Sequence, residues 1–292
     1  VFIGVDAPDF NFGLEKNLRQ QGIRTVHFVS PSIWAWRAHR VHTIRRSADH
    51  VLCLFPFEPA LLEQHGIAAT YVGHPLANVF PMEPDKKAAR QQLQLQLPQD
   101  VAVLAVLPGS RDSEIAYLTP RFLETVRLLR QRRPELHTVL PAAPGYFARL
   151  RSLVQAAGLE QVITVLDGQS HAALTACDVT LIASGTATLE AALLKCPMVI
   201  SYAMHPLSAR IMRSKQLQPW VGLPNILCRD FVVPELLQEN ATPQKLADAV
   251  EAWFDNPARI VAVQQRFSAL HADLQRDTAT LSAHAIQQVL AR

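Results

Sequence analysis

The 292 residues are 49% hydrophobic and carry 28 basic against 25 acidic side chains, a net charge of +3. This length and apolar content suffice for two domain cores. The mild charge, without long Lys/Arg runs, argues against a nucleic-acid-binding surface. Four dispersed cysteines without a CxxC pair favour a reducing compartment, and no apolar stretch is long enough to span a membrane.

Apolar runs alternate with helical patterns from the first residue. Val1 to Val5 predicts a buried parallel strand that ends in Asp6-Ala7-Pro8-Asp9. Because ligands of open α/β sheets bind beyond the carboxyl ends of strands, Asp6 and Asp9 are candidate acid–base residues. The alternative role for Asp9 is to cap the helix that follows, predicted over residues 14–21.

A loop with two prolines and two tryptophans follows the next predicted strand, residues 24–29. Trp34, Trp36 and Arg37 in this loop fit a sugar or acyl-chain platform, and they fit a contact between domains about as well. The cations of residues 37–46 suit an anionic substrate or an anionic membrane surface. In the second case, Ile33, the tryptophans and these cations are predicted to form part of the surface that meets the membrane. The remaining elements predicted here are a basic helix at 38–47, strands at 51–55 and 69–72, and a helix at 59–64.

A stretch rich in proline and charge, residues 81–86, predicts a linker. Beyond it, strands are predicted at 101–107, 136–141, 162–166, 179–183 and 198–202. Helices are predicted at 86–95, 119–132, 147–157, 170–176, 189–194, 205–216 and 243–254, and a long final one, interrupted near Asp277, starts at residue 258. Residues 223–227 read as a loop and Pro234 as the start of a short helix.

Two strand-end turns in this half are suited to phosphate. Gly109 in Pro108-Gly109-Ser110-Arg111 lets backbone approach a ligand closely, and Arg111 can bind phosphate through two hydrogen bonds. The turn Ser184-Gly185-Thr186-Ala187-Thr188 opens a helix whose free N–H groups favour an anion, and Glu190 can accept bonds from sugar hydroxyls. An ordinary turn capped by Ser184 or Thr186, with Glu190 as the capping-box acid, is the alternative.

Asn225 is a further candidate for a phosphate or ribose contact, or else a turn-forming residue. Together these groups predict a nucleoside-diphosphate site, with candidate members Ser110, Arg111, Ser184, Gly185, Thr186, Thr188, Glu190 and Asn225. The sequence contains no P-loop, GxGxxG, HExxH, clustered Cys/His or GxSxG pattern. Neither a metal nor a cofactor is therefore predicted.

The order of elements predicts an α/β fold with two facing doubly wound, Rossmann-like domains. Residues 1–82 are predicted to be the remainder of an N-terminal domain, because the chain opens without Met inside a strand. Residues 83–257 are the predicted second domain, which carries the nucleoside-diphosphate site, and residues 258–292 are helices predicted to pack back toward the first domain. The cleft is expected to collect Asp6 and the tryptophan loop from one side and Arg111, the Ser184 turn and Asn225 from the other.

Five segments in one order resemble the lipid-A-disaccharide synthases, which are inverting glycosyltransferases of the two-domain B type. These segments are residues 4–11 (GVDAPDFN), 29–37 (VSPSIWAWR), 107–111 (LPGSR), 183–190 (ASGTATLE) and 223–225 (LPN). The resemblance implies that UDP-2,3-diacylglucosamine is joined to 2,3-diacylglucosamine 1-phosphate, which gives a β-1,6-linked disaccharide and UDP. It implies that Asp6 is the general base, that Arg111 contacts phosphate, and that residues 184–190 and Asn225 hold UDP. It also implies that residues 1–82 belong to the acceptor-side domain and residues 83–257 to the UDP-sugar-binding domain.

The resemblance also implies a protein peripheral to the cytoplasmic face of the inner membrane in Gram-negative bacteria. It implies no metal requirement, contact with the anionic membrane surface, and compatibility with a homodimer. Members of this family begin with a further segment, which includes a Gly-Glu-rich loop that faces the same cleft. That segment is absent from the sequence.

Two other classes fit parts of the pattern. Another B-type enzyme on a UDP-sugar, such as a GlcNAc transferase or a UDP-GlcNAc 2-epimerase, would share the donor site, and the Trp34–Arg37 loop speaks against it. A non-catalytic, two-lobed ligand-binding protein has no use for a carboxylate pair aimed into the cleft.

Overall fold

The structure is a computed structural model that describes residues 1–36, 38–95, 98 and 101–291. The strands of these residues are β1 (Phe2–Val5), β2 (Thr25–Phe28), β3 (His50–Cys53), β4 (Ala69–Tyr71), β5 (Val103–Leu107), β6 (His137–Ala142), β7 (Ile163–Asp167), β8 (Val179–Ala183), β9 (Met198–Tyr202) and β10 (Glu235–Leu237).

The α-helices of the same residues are α1 (Pro8–Gln20), α2 (Val41–Ser47), α3 (Glu58–Glu63), α4 (Pro75–Val79), α5 (Lys86–Gln92), α6 (Asp112–Arg132), α7 (Phe147–Ala156), α8 (Ser170–Ala176), α9 (Thr186–Leu193), α10 (Pro206–Lys215), α11 (Leu223–Cys228), α12 (Pro243–Phe254), α13 (Pro257–Leu274) and α14 (Thr278–Leu290). Short 3₁₀ turns lie at Ala38–Arg40 and Gln238–Asn240.

The chain divides into two compact units. Unit 1 comprises residues 1–79, 214–219 and 271–292, and unit 2 comprises residues 80–213 and 220–270. Each unit is built on one parallel sheet. The predicted α/β class is therefore confirmed.

The sheet of unit 1 has the order β1-β2-β3-β4. Its register pairs Val5 with Phe28, Phe28 with Leu52, and Cys53 with Tyr71, so the loops after all four strands leave from one edge. Strand β1 lies at the end of this order, and its Ile3 and Val5 are 41% and 61% exposed. The prediction of a buried strand is wrong for β1, which lies at the edge of the described sheet, and Ile3 and Val5 are not among the residues against which α14 packs.

Both faces of the first sheet are covered. On one face, Val51 and Cys53 pack with Phe12, Ile44 and Leu62, which lie on α1, α2 and α3. Crossovers between successive parallel strands are right-handed, so an order of consecutive strands places their helices on one face. The terminal helix α14 fills the opposite face, where Ala285 and Val289 pack against Val26 and Leu52.

The sheet of unit 2 has the order β10-β9-β8-β5-β6-β7, which is the doubly wound order of a Rossmann fold. The chain moves outward from β5 through β6 to β7, then returns to β8 and moves outward the other way. Every residue of β5 and β8 is buried. The topological switch point therefore lies between these two strands, and ligands of such sheets bind beyond the carboxyl ends of the strands at that point.

Several predicted elements differ from the structure. Helix α1 begins at Pro8 rather than at residue 14. Helix α6 begins at Asp112 rather than at residue 119, and Pro120 lies within it, so Thr119-Pro120 is not a helix start. Leu223–Cys228 forms the short helix α11 instead of a loop, with Pro224 in its first turn. Glu235–Leu237 is a sixth strand of unit 2 rather than a helix, because its backbone pairs with β9.

Candidate active site

A tight turn follows β1 and presents Asp6. Asp6 and Ala7 both adopt left-handed backbone conformations, with φ of 48° and 40°, which is uncommon for residues other than glycine. The buried Asn11 side chain secures the turn, since its amide donates to the carbonyls of Val5 and Asp6 at 3.2 and 2.8 Å. The Asp6 side chain is exposed at the carboxyl edge of the sheet. Asn11 was not predicted to support this turn.

Asp9 lies in the first turn of α1 and forms an ion pair with Arg40. Its carboxylate is therefore already occupied by a cation, whereas Asp6 takes part in none of the ion pairs found in the described residues. The structure thus gives the two candidate carboxylates different surroundings. Arg40, one of the cations predicted to meet a membrane, is thus paired with this acid.

A buried acid, Glu58, stabilises the tryptophan loop that follows β2. Glu58, 2% exposed, accepts hydrogen bonds from Trp34 Nε1 and from the Phe55 backbone N–H, each at 3.0 Å. The Trp34 ring also meets Phe57 edge-on at 5.4 Å. Trp34 and Trp36 are half-buried. Ile33 is 3% exposed and packs in the core, so the expectation that it faces a membrane is wrong.

Burial raises the pKa of Glu58 from 4.5 to about 7, although the bonds from Trp34 and the backbone lower it. Desolvation by burial also shifts the pKa values of two neighbouring side chains. The pKa of the Cys53 thiol is raised, and that of His74, whose ring stacks on Phe55, is lowered from 6.5 to about 4.

Wild-type protein is expected to lose stability relative to Glu58→Gln as the pH rises from about 5 to about 8. Folded Glu58 keeps a proton that the unfolded chain releases near pH 4.5, so the free energy of unfolding falls until the pH passes about 7. The two pKa values correspond to roughly 3 kcal/mol. Urea unfolding of both proteins across this pH range measures the difference.

The contribution of His74 to the free energy of unfolding changes with pH in the opposite direction to that of Glu58. Its folded-state pKa lies below that of the unfolded chain, so its contribution to stability rises between about pH 4 and pH 6.5. Because both proteins contain His74, the contribution cancels in their difference. Parallel pH profiles for wild type and Glu58→Gln would show that Glu58 does not titrate in this range.

Three further arginines of residues 37–46 were predicted to meet a membrane, and the structure describes two of them. Arg37 lies outside the described residues. Arg45 and Arg46 are exposed at the end of α2, and with Lys16, Arg19 and Gln20 they line an open cavity of about 530 Å³. Arg19 is held there by Asp49 at 2.8 Å.

In unit 2, the loop after β5 is organised around Glu114, which is 4% exposed. One oxygen of its carboxylate accepts the Ser110 N–H at 2.9 Å and the other accepts Arg111 NH1 at 2.7 Å. Gly109 has a φ of +113°, and a Cβ at this position would lie 2.5 Å from the same carboxylate. The loop therefore needs glycine, and it presents the 74%-exposed Arg111 side chain at the start of α6.

The turn after β8 opens α9 without a side-chain cap among the described residues. The N-cap is Gly185, with Gly185 and Thr186 exposed and Ser184 half-buried. Glu190 is the fifth residue of the helix and lies 3.3 Å from His171 Nε2. The alternative of a capping box is therefore wrong, and the first N–H groups of α9 stay available to an anion.

Thr188 and Asn225, two of the predicted nucleotide-binding residues, are buried and bonded within the protein. The Thr188 hydroxyl donates to Gly185 O at 2.7 Å. The Asn225 amide donates to Val233 O and Glu235 Oε1 and accepts the Val233 N–H, at 2.8–3.0 Å. Neither side chain is exposed to solvent, where a ligand could contact it. Both side chains instead stabilise the turns through these hydrogen bonds.

Glu235 was not predicted, and it supports the segment before α11. Its carboxylate accepts the N–H groups of Val221 and Gly222, both at 2.9 Å, besides the Asn225 amide. Burial raises its pKa despite these bonds.

The loops after β5 and β8 flank the switch point, because Leu107 and Ile182 are paired neighbours on adjacent strands. Adjacent strands lie about 4.8 Å apart, so the loops that carry Arg111 and the N-terminus of α9 leave from neighbouring points at one end of the sheet. In the residues described, no three His, Cys, Asp or Glu side chains are grouped to hold a metal ion. None of the described helices is long and apolar enough to cross a membrane.

Solved structures with the same fold act on sugars. The structure of UDP-GlcNAc 2-epimerase from Neisseria meningitidis bound to UDP-GlcNAc matches with a TM-score of 0.61 and 12% identity, covering 99% of this chain and 76% of that one. Sucrose-phosphate synthase from Thermosynechococcus elongatus matches with a TM-score of 0.60 and 18% identity, covering 96% and 71%. These likenesses establish the fold, which is that of the B-type glycosyltransferases.

The sequence comparison is more specific. The model of the lipid-A-disaccharide synthetase family matches residues 1–289. The lipid-A-disaccharide synthase of Albidiferax ferrireducens is 64% identical over 294 residues, which cover 99% of this chain and 75% of that protein. The enzyme of Aromatoleum aromaticum is 53% identical over 293 residues, covering 100% and 74%. The chain belongs to the lipid-A-disaccharide synthase family, which makes it a UDP-sugar hexosyltransferase.

Proposed function

We propose that the protein joins UDP-2,3-diacylglucosamine to 2,3-diacylglucosamine 1-phosphate and releases UDP. The observation that carries this proposal, beside the family match, is the pair of loops at the switch point of unit 2. One presents Arg111 and the other an uncapped helix N-terminus. A UDP-sugar places its diphosphate where such groups meet.

Arg111 and the N–H groups at the start of α9 stabilise the charge that builds on the leaving diphosphate. Ser110, Ser184, Gly185 and Thr186 complete the donor site with hydroxyl and backbone groups, and Glu190 accepts bonds from hydroxyls of the nucleotide ribose or the sugar. Thr188 and Asn225 act indirectly, since their side chains are buried within the turns that they hold.

Asp6 is the general base on the acceptor side. It takes the proton of the acceptor 6-hydroxyl while that oxygen forms a bond to the anomeric carbon of the donor. The bond from that carbon to the diphosphate breaks at the same time, its electron pair leaves with UDP, and the configuration inverts. Asp9 has a lesser part because Arg40 already pairs with it.

The same proposal places residues 1–82 on the acceptor side and residues 83–257 on the UDP-sugar side. Trp34, Trp36 and Arg37 belong to the acceptor or membrane side. The enzyme acts as a peripheral protein on the inner face of the bacterial inner membrane, where its lipid substrates lie, and it assembles as a homodimer. Light scattering tests the assembly, with twice the mass of a single chain expected.

Full-length protein is expected to release UDP from UDP-2,3-diacylglucosamine only when a diacylated glucosamine 1-phosphate is present. An unacylated acceptor is expected to support none of this release, because it lacks the chains that the acceptor side recognises. Chromatographic detection of UDP and of the disaccharide measures both. Tight donor binding without turnover would favour a binding protein, and interconversion of UDP-GlcNAc at C2 would favour an epimerase.

A further inference from the structure

Helix α10 exposes large apolar side chains. Leu207 is 68% exposed, Ile211 55% and Met212 40%, and Leu217 just beyond the helix is 55% exposed. Ala209 is the one buried residue of the helix. Single apolar side chains are commonly exposed on protein surfaces, but here four large ones lie within eleven residues. Clusters of exposed apolar side chains mark interaction sites.

The exposed stripe of α10 is apolar and cationic at once. Leu207, Arg210, Ile211, Ser214 and Lys215 follow the i, i+3, i+4, i+7, i+8 spacing of one helix face. Residues 191–229 contain five Lys or Arg and no Asp or Glu. Glu239 pairs with Arg213, which lies off this stripe.

Position adds a second argument. Helix α10 follows the carboxyl end of β9, the same edge from which the Arg111 and Ser184 loops leave. After the helix, the Leu217 N–H donates to Ala35 O at 3.1 Å, within the tryptophan loop of unit 1. Leu217 thus lies beside a loop with two half-buried tryptophans, a residue type that favours the boundary between a membrane and water.

We propose that α10 is an interfacial helix that lies on an anionic phospholipid membrane and inserts Leu207 and Ile211 among the headgroups. Arg210 and Lys215 flank this apolar ridge and meet the lipid phosphates. The inference deepens the proposed membrane association and rests on it. It identifies the membrane-contacting element as α10 rather than the predicted Ile33–Arg46 stretch, whose Ile33 is buried and whose Arg40 is paired.

The test is co-sedimentation of full-length protein with vesicles of phosphatidylglycerol and phosphatidylcholine, and with vesicles of phosphatidylcholine alone. The double variant Leu207→Ser/Ile211→Ser is expected to bind the anionic vesicles at least about tenfold more weakly than wild type. Val261→Ser, which removes a 53%-exposed apolar side chain from α13, is the matched control and is expected to bind like wild type. Arg210→Glu/Lys215→Glu is expected to abolish the preference for anionic lipid.

The outcomes separate the two proposals. If wild type ignores both kinds of vesicle, membrane association itself fails. If wild type binds and the double variant binds equally well, the assignment of α10 is overturned while membrane association stands. A double variant that keeps its vesicle affinity but changes its mass in light scattering would make α10 a contact between copies of the chain instead. Activity on detergent-dispersed substrates is expected to stay within about twofold of wild type, and a loss of folded protein is detected by the thermal midpoint.

Discussion

Replacing Asp6 with Asn is expected to lower kcat by about a thousandfold. Asparagine keeps the size and the hydrogen-bonding reach of the side chain but cannot accept the proton of the acceptor hydroxyl. The turn should persist, because it is held by the Asn11 side chain bonded to backbone carbonyls rather than by the Asp6 carboxylate. UDP affinity, measured by calorimetry, should change by less than about twofold, since only the proton transfer is removed.

Asp9→Asn is the matched control, because it removes a carboxylate three residues away on the same turn. It is expected to cost less than about tenfold in kcat, through the loss of its ion pair with Arg40. An Asp6→Asn variant that retains more than about a tenth of the wild-type kcat would exclude Asp6 as the base. A larger loss in Asp9→Asn than in Asp6→Asn would transfer the role to Asp9.

Most strands and the longer helices could be predicted from the sequence, because their periodicity is strong enough to decide the element locally. Strand β8 and helix α12 have the bounds predicted for them, and the final helical stretch breaks next to Asp277. Strand β10 could not be predicted, since three residues carry no periodicity and their pairing with β9 decides their conformation. The early start of α6 was hidden by Pro120, which resembles a first-turn proline.

The loops of the candidate site were predictable for a different reason. In a parallel sheet all strands end at one edge, so residues that directly follow strands are functional candidates from the order of strands and helices alone. That argument selects Asp6, Arg111 and Ser184. It cannot tell which candidates point outward, and Thr188 and Asn225 turn out to be buried.

The groups that hold these loops in place were beyond sequence reasoning. Each of these groups makes a hydrogen bond to a candidate residue or its backbone. The pairs are Asn11 with Asp6, Glu58 with Trp34, Glu114 with Arg111, and Glu235 with Asn225. The Glu58–Trp34 and Glu235–Asn225 bonds join residues that are 24 and 10 positions apart, so tertiary packing creates them, whereas Asn11 and Glu114 bond to residues five and three positions away. Three of these side chains are buried and that of Glu235 is half-buried, and a buried acid or amide looks like a surface one in a sequence. Glu114 alone leaves a signal, because it occupies the third position of its helix, where an acid commonly bonds backward to the chain before the helix.

Glu114→Gln is therefore expected to lower kcat/KM for the UDP-sugar by about a hundredfold. The carboxylate accepts bonds from the Ser110 N–H and Arg111 NH1 with its two oxygens. Glutamine offers one acceptor and turns an NH₂ group toward a donor, so one bond is lost and the guanidinium is no longer oriented by a charge. Steady-state kinetics with varied UDP-sugar and calorimetry of UDP binding measure the loss.

A double-mutant cycle with Arg111→Ala distinguishes positioning of Arg111 from a general loss of structure. If Glu114 acts through Arg111, Glu114→Gln should cost little in the Arg111→Ala background, and equal costs in both backgrounds would contradict the assignment. Glu124→Gln is the matched control, because Glu124 forms the same i, i+3 pair with Arg127 on the same helix, at 42% exposure instead of 4%. An exposed pair of this kind contributes little to stability, so Glu124→Gln should match wild type in both assays. A hundredfold loss confined to Glu114 would tie the donor site to the burial of this carboxylate rather than to the ion pair itself.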